Sequence, residues 1–231
     1  MNALPLVVFD VNETLLDLTT MEPTFERIFG DSGAMRFWFA NFILYSSALT
    51  VAGCYVPFTD IGSAVMKMLA DTRGIRIEEA DKKELVDKFS TMPPHPEVPA
   101  ALRKLCAAGF PLFTLTDNLL DVQTRQLQHA GIVDLFERRF SADAVKHHKP
   151  SRQAYAYVER ELGVVPSELC LIACHTWDTL GAVAAGWDAA LIKRVGNDLL
   201  GVGPQPQIVG ADLEDVAGQL IARQAARINV A

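Results

Sequence analysis

Cysteine is scarce in this chain, and Cys54, Cys106, Cys170 and Cys174 form no close pair with metal-ligand spacing. Cys170 and Cys174 fall in one apolar, strand-like run, where a free cysteine packs as a small hydrophobe. That usage fits a reducing cytoplasm, the compartment expected here. The chain also lacks a basic patch or stripe, and its net charge is −7 with a pI near 5.2. A nucleic-acid partner is therefore not expected. An anionic substrate would gain nothing from this overall charge and would need a locally built positive field. Apolar runs of membrane-span length are absent too. The stretch from Phe37 to Val56 comes close, but Asn41, Ser46, Ser47, Thr50 and Gly53 interrupt it, so it reads as a buried helix and no membrane partner is expected. At the start of the sequence no basic region precedes a signal-like apolar core, because Leu4 to Phe9 is too short. There are no internal repeats and no low-complexity segments.

What is present is globular in balance: 50% hydrophobic and 21% charged residues in a chain of 231. That length fits one domain with an insertion or two small domains. Leu6 to Phe9 reads as a short buried strand that delivers Asp10 at its carboxyl end. From about Thr19 to Met92 the spacing is helical throughout. Phe25, Ile28 and Phe29 share a face, as do Phe39, Phe42, Ile43 and Leu49, then Ile61, Val65, Met68 and Leu69, then Leu85 and Phe89. Gly30, Gly53 and Gly74 punctuate the series, which predicts four helices and no strand. Met92-Pro93-Pro94-His95-Pro96 is a stiff connector that cannot continue a helix.

After Val98 the pattern alternates in the α/β manner. Strands are predicted over Pro111 to Leu115, Phe136 to Phe140, Leu169 to Cys174, Ala189 to Lys193 and Gln207 to Val209. Helices are predicted over Ala100 to Ala108, Val122 to Ala130, Ser151 to Leu162, Leu180 to Ala185 and Leu213 to Ala225.

At the carboxyl edge of an open parallel sheet, where ligands bind, a rigidly held Asp10 suits a nucleophile. It equally suits a turn or helix cap. Phe9-Asp10-x-x-x-Thr14-Leu15 resembles the first motif of the haloacid dehalogenase-like hydrolase superfamily, in which this Asp attacks the substrate and forms a covalent aspartyl intermediate. Thr116, at the end of the second long core strand, matches the second motif. Lys149-Pro150 resembles the third. Ala173-Cys174-His175-Thr176-Trp177-Asp178 resembles the fourth. The four motifs occur in the superfamily's order and span nearly the whole chain. The resemblance implies an α/β fold: a Rossmann-like doubly wound parallel sheet (residues 1–17 and 97–231) with an inserted helical cap domain (18–96).

Phosphatases of the superfamily carry a second Asp two residues after the nucleophile, as general acid for the leaving alcohol. Asn12 stands there, and this departure points toward the L-2-haloacid dehalogenases, which use no metal. The expected activity is hydrolytic dehalogenation of small 2-haloalkanoic acids through an ester at Asp10. Lys149 keeps the nucleophile ionised. Asp178 fixes Lys149 and the hydrolytic water. His175, where those enzymes carry an amide, is either a base on water or a structural residue. Expected substrate contacts come from Val11, Asn12, Thr14, Trp38, Phe39, Thr116, Asn118 and Tyr155.

Two positions depart from the dehalogenase pattern. Asp117 stands where an Asn helps hold the halide, and Phe39 stands where a cap Arg does. Trp38, through its indole N–H, or Arg36 is the expected substitute. The alternative activity is a Mg²⁺-dependent phosphohydrolase, with Asp10 and Asp178 on the metal. A third reading is a catalytically weak binding protein. The expected partner is a small-molecule substrate, and the apolar face of the cap is either core or the surface of a homodimer.

Overall fold

A computed structural model describes residues 4–230. Six parallel strands form one sheet: β1 (Leu6–Phe9), β2 (Leu112–Thr116), β3 (Arg138–Ser141), β4 (Leu169–Ala173), β5 (Asp188–Ile192) and β6 (Ile208–Gly210). Their order is β3-β2-β1-β4-β5-β6, the arrangement of a doubly wound nucleotide-binding fold, with its switch point between β1 and β4. Phe9 lies level with Thr114 of β2 and Ile172 of β4. The next residue, Asp10, therefore emerges at the crevice between two oppositely directed crossovers.

These strands are continuous apolar runs because both faces of the sheet are covered. Alternate side chains serve opposite layers. Val7, Phe9, Cys170 and Ile172 join one buried cluster, together with α5 (Val98–Ala107) and α9 (Leu213–Val230). Val8, Leu169, Leu171 and Ala173 join another with Tyr155 and Val158 of α7 (Arg152–Leu162) and Ala182 of α8 (Thr176–Ala184). The remaining crossover helix is α6 (Leu120–His129).

Between β1 and β2 the chain forms α1 (Glu22–Phe29), α2 (Ala34–Val51), α3 (Phe58–Arg73) and α4 (Glu79–Ser90), the four helices that the periodicity predicts. Their apolar faces continue the first cluster through Phe25, Trp38, Phe42, Phe58 and Leu69. Two expectations need correction. The α2 helix is not buried all round: Trp38, Phe39 and Phe42 face inward while Phe37, Leu44 and Val51 are exposed. Helix α8 starts at Thr176 rather than Leu180, because the chain turns directly out of β4 and its first turn carries Asp178, which breaks the apolar spacing. Among the described residues, no helix is long and apolar enough to cross a membrane.

Helices α2 and α3 meet at Gly62, where a methyl group would stand 2.8 Å from two carbons of the Phe42 ring. The Gly62 carbonyl also accepts the Trp38 indole N–H at 2.9 Å. Helix propensity favours alanine over glycine by about 1 kcal/mol, but overpacking against a ring stacked on Phe58 costs about 1–3 kcal/mol. Gly62→Ala should therefore lower stability, as read from its urea midpoint. A midpoint at or above that of the unmodified protein would mean that the two helices separate without cost.

Candidate active site

Asp10, His175 and Asp178 are delivered by strand ends or the turns after them, and Lys149 by the segment that leads into α7. Asp10 follows β1, and its N–H donates to Ile172 O at 3.1 Å. His175 and Asp178 follow β4, with Asp178 in the first turn of α8. Lys149 precedes α7, which Ser151 caps by accepting from Gln153 N. The Lys149 ammonium, 1% exposed, donates to Asp10 Oδ1 at 2.9 Å, to Asp178 Oδ2 at 2.6 Å and to Leu115 O at 3.0 Å. These three bonds exhaust its donors. Thr14 donates to Asp10 Oδ2 at 2.6 Å, and Tyr155 donates to Asp178 Oδ1 at 2.7 Å.

Burial opposes the charged form of Asp10, yet the Lys149 cation, with His175 and Thr14, outweighs it and holds the carboxyl well below the usual range. Burial likewise opposes the Lys149 charge, but Asp10 and Asp178 keep the ammonium above its ordinary value. Asp178 is pushed up by burial against the pull of Lys149. The resting site thus presents an ionised, fully positioned carboxylate, which can act as a nucleophile.

His175 lies on the opposite side of Asp10 from Lys149. Its Nδ1 is 3.2 Å from Asp10 Oδ2 but makes no hydrogen bond, and its Nε2 bonds to Glu13 Oε2 at 2.8 Å. Burial works against a charged ring, but Cys174 and Asp10 beside it push His175 up to about 10. Glu13 also pairs with Arg36 of α2. Sequence reasoning did not single out Glu13. Its only sequence signal is an acidic residue in the polar turn Asn12-Glu13-Thr14, three residues after Asp10 and four before Asp17.

The remaining expected contacts separate into two groups. Val11 and Thr14 lie in the loop around Asp10, both buried. Asn12 is turned to α6, where its Oδ1 accepts from Gln126 Nε2 at 3.2 Å. Asn118 donates to Gln126 Oε1 at 3.3 Å, and Thr116 Oγ1 accepts the Asn118 N–H at 3.3 Å, a turn-closing role. Asp117 faces away from Asp10: its Oδ1 accepts the Lys149 backbone N–H at 2.9 Å.

Of the halide donors expected on α2, the Trp38 indole N–H donates to the Gly62 carbonyl, and one guanidinium nitrogen of Arg36 pairs with Glu13. Phe39 packs on the His175 ring at a centroid distance of 5.7 Å. Asp10 and Asp178, the two carboxylates expected on a Mg²⁺ ion in the alternative reading, are bridged here by the Lys149 ammonium, and Tyr155 donates to the other Asp178 oxygen. A cleft of about 820 Å³, lined by Trp38, Met66, Leu85 and Phe89, includes none of these charged groups. It therefore says nothing about the chemistry at Asp10.

Residues 4–186 match the family model of haloacid dehalogenase-like hydrolases. The chain belongs to that family. Among its relatives, (S)-2-haloacid dehalogenase 2 of Pseudomonas sp. (strain CBS-3) is 27% identical over 216 residues, covering 93% of this chain and 94% of that protein. The structure of the L-2-haloacid dehalogenase RSc1362 is similar with a TM-score of 0.89 at 26% identity, over 95% of this chain and 99% of that one. The L-2-haloacid dehalogenase from Xanthobacter autotrophicus shares the fold at a TM-score of 0.86 and 23% identity, over 94% and 98%. This member of the family is accordingly a hydrolase whose relatives are 2-haloacid dehalogenases.

The charge on His175 gives a stability prediction. The folded value lies above the ordinary 6.5, so its contribution is fully present below about pH 6.5 and is lost as pH rises through about 10. The urea midpoint of the protein should fall across that window, and His175→Asn should flatten the fall. Parallel slopes in the two proteins would show that the ring is neutral in the fold.

Proposed function

We propose that this family member is a metal-independent hydrolytic dehalogenase of small 2-haloalkanoic acids. The observation that carries the reading is the Asp10 carboxylate, kept ionised by Lys149 with no proton donor two residues later, because Asn12 is an amide bonded to Gln126. A halide departs without a proton, whereas an alkoxide leaving phosphate needs one. The site is therefore matched to the leaving group that asks least of it.

In this mechanism one oxygen of Asp10 attacks the halogen-bearing carbon in line. The carbon–halogen bond breaks, halide leaves with the bonding pair, and the centre inverts. Lys149 aligns the carboxylate and is itself fixed by Asp178. Asp178 accepts from Lys149 and Tyr155, so it serves as the anchor of the cation. Water then adds to the Asp10 carboxyl carbon, the hydroxy acid leaves, and the carboxylate returns. The helical segment 18–96 would act as the cap that excludes bulk water from these steps.

The test is halide release from 2-chloropropionate in excess EDTA, with a panel of phosphomonoesters as the control. Activity on the haloacid should persist without metal, and multiple turnovers in ¹⁸O-labelled water should place label in the peptide that contains Asp10. Asp10→Asn should abolish halide release. Lys149→Ala should depress it by about 10²-fold or more, the scale of losing one preorganised charged donor. Mg²⁺-dependent phosphate release with no halide from any haloacid would replace this reading with a phosphohydrolase.

A further inference from the structure

We propose that Glu13 is a positioning residue for the second half of this reaction, holding His175 so that its free Nδ1 takes the proton from the water that attacks the Asp10 ester. The inference rests on the ester mechanism above and adds a residue that the family resemblance does not supply.

The first observation is the backbone of Glu13. Its φ is +63° and it is 2% exposed. Glycine takes that conformation freely, and a side chain there is strained. A position that needed only the turn would be served best by glycine, so the carboxylate itself is the reason for the residue. Its surroundings hold it on several sides. The Glu13 carbonyl accepts from His95 Nε2 at 2.9 Å, and the next carbonyl, that of Thr14, accepts from Arg194 at 2.9 Å. Of the carboxylate oxygens, Oε1 pairs with Arg36 and Oε2 with His175 Nε2.

The second observation is the imidazole. Glu13 accepts from Nε2 and keeps that proton in place, while Nδ1 faces Asp10 Oδ2 at 3.2 Å and is the nitrogen whose proton can leave and return. Trp177 stacks on the ring at 5.0 Å with an interplanar angle of 17°, and Phe39 packs against it from α2. The ring is thereby fixed in plane by Glu13 and out of plane by two aromatics. Phe39, where the dehalogenase pattern has an arginine, supports this imidazole.

The protons balance. Alkylation turns the Asp10 carboxylate into a neutral ester and expels halide. Nδ1, no longer facing an anion, releases one proton to solvent. Neutral Nδ1 then takes a proton from water as the water oxygen bonds to the Asp10 carboxyl carbon. It returns that proton to the hydroxy-acid oxygen as the acyl–oxygen bond breaks. The second proton of the water, left on the Asp10 carboxyl, passes to Nδ1 and restores the resting state. The sum is one halide, one hydroxy acid and one proton per haloacid.

The experiment is single-turnover rapid quench with 2-chloropropionate, following halide release and the ester adduct by intact mass. Glu13→Gly, which relaxes the left-handed backbone, should slow ester hydrolysis by about 10²-fold, the scale of a general base, while slowing alkylation by less than about tenfold. Ester should accumulate. Glu13→Gln keeps an acceptor for Nε2 and should recover part of the hydrolysis rate. Equal slowing of both steps, or a Glu13→Gly protein that hydrolyses its ester at the unmodified rate, would overturn the assignment. Absence of both ester and halide in the unmodified protein would instead remove the dehalogenase reading on which it rests.

Discussion

The Lys149 ammonium, buried between Asp10 and Asp178, is the constraint on which the rest depends. Taking three ions out of water costs several kcal/mol each, and mutual attraction repays that only when every donor and lone pair is placed. Here the placement is complete: Lys149 uses its three donors, and Tyr155 and Thr14 take the carboxylate oxygens that the ammonium leaves. Breaking such an arrangement by removing one member is expected to cost about 3–5 kcal/mol. The fold must therefore bring β1, β4 and the segment before α7 to one point with little tolerance. The strand order that reverses between β1 and β4 does this, because loops leave the crevice in opposite directions and close around it.

Much of this was legible in the chain. The strands were readable because each is a short apolar run between turn residues, and the four helices before β2 because their apolar positions recur at helical spacing. Asp10, Lys149 and Asp178 were readable because each stands at the edge of such an element within a motif. Side-chain partnerships were not. Whether the Trp38 N–H looks into the site or at the Gly62 carbonyl depends on how α2 crosses α3, a packing angle that spacing along one helix does not encode. The same holds for the exposed Phe37, Leu44 and Val51, whose hydrophobicity suggested burial.

Glu13 was missed for a different reason. Its significance lies in a left-handed backbone and a buried partner 162 positions away, and neither leaves a periodic trace. The departures at Phe39 and His175 look unrelated when read singly, and Glu13 draws no notice at all. In space they are one unit: Phe39 packs on His175, His175 bonds Glu13, and Glu13 pairs with Arg36. Phe39, which stands where a cap arginine was expected, packs in three dimensions on that imidazole.

Taken in order, the charges form a single alternating chain: Arg36, Glu13, His175, Asp10, Lys149, Asp178. Asp10 is the link that joins its two halves. Turning Asp10 into an ester cuts the chain there. On one side Lys149 keeps Asp178, and the pair stays neutral. On the other, His175 loses its Asp10 partner and shares Glu13 with Arg36, which also reaches Glu22 at 3.8 Å. Burial penalises the His175 charge once Asp10 no longer faces it. Arg36 keeps its proton, since a guanidinium does not deprotonate in proteins, and Lys149 keeps its own while Asp178 holds it. In the proposed ester mechanism, His175 is therefore the group that would release a proton, and it would do so only after Asp10 has reacted.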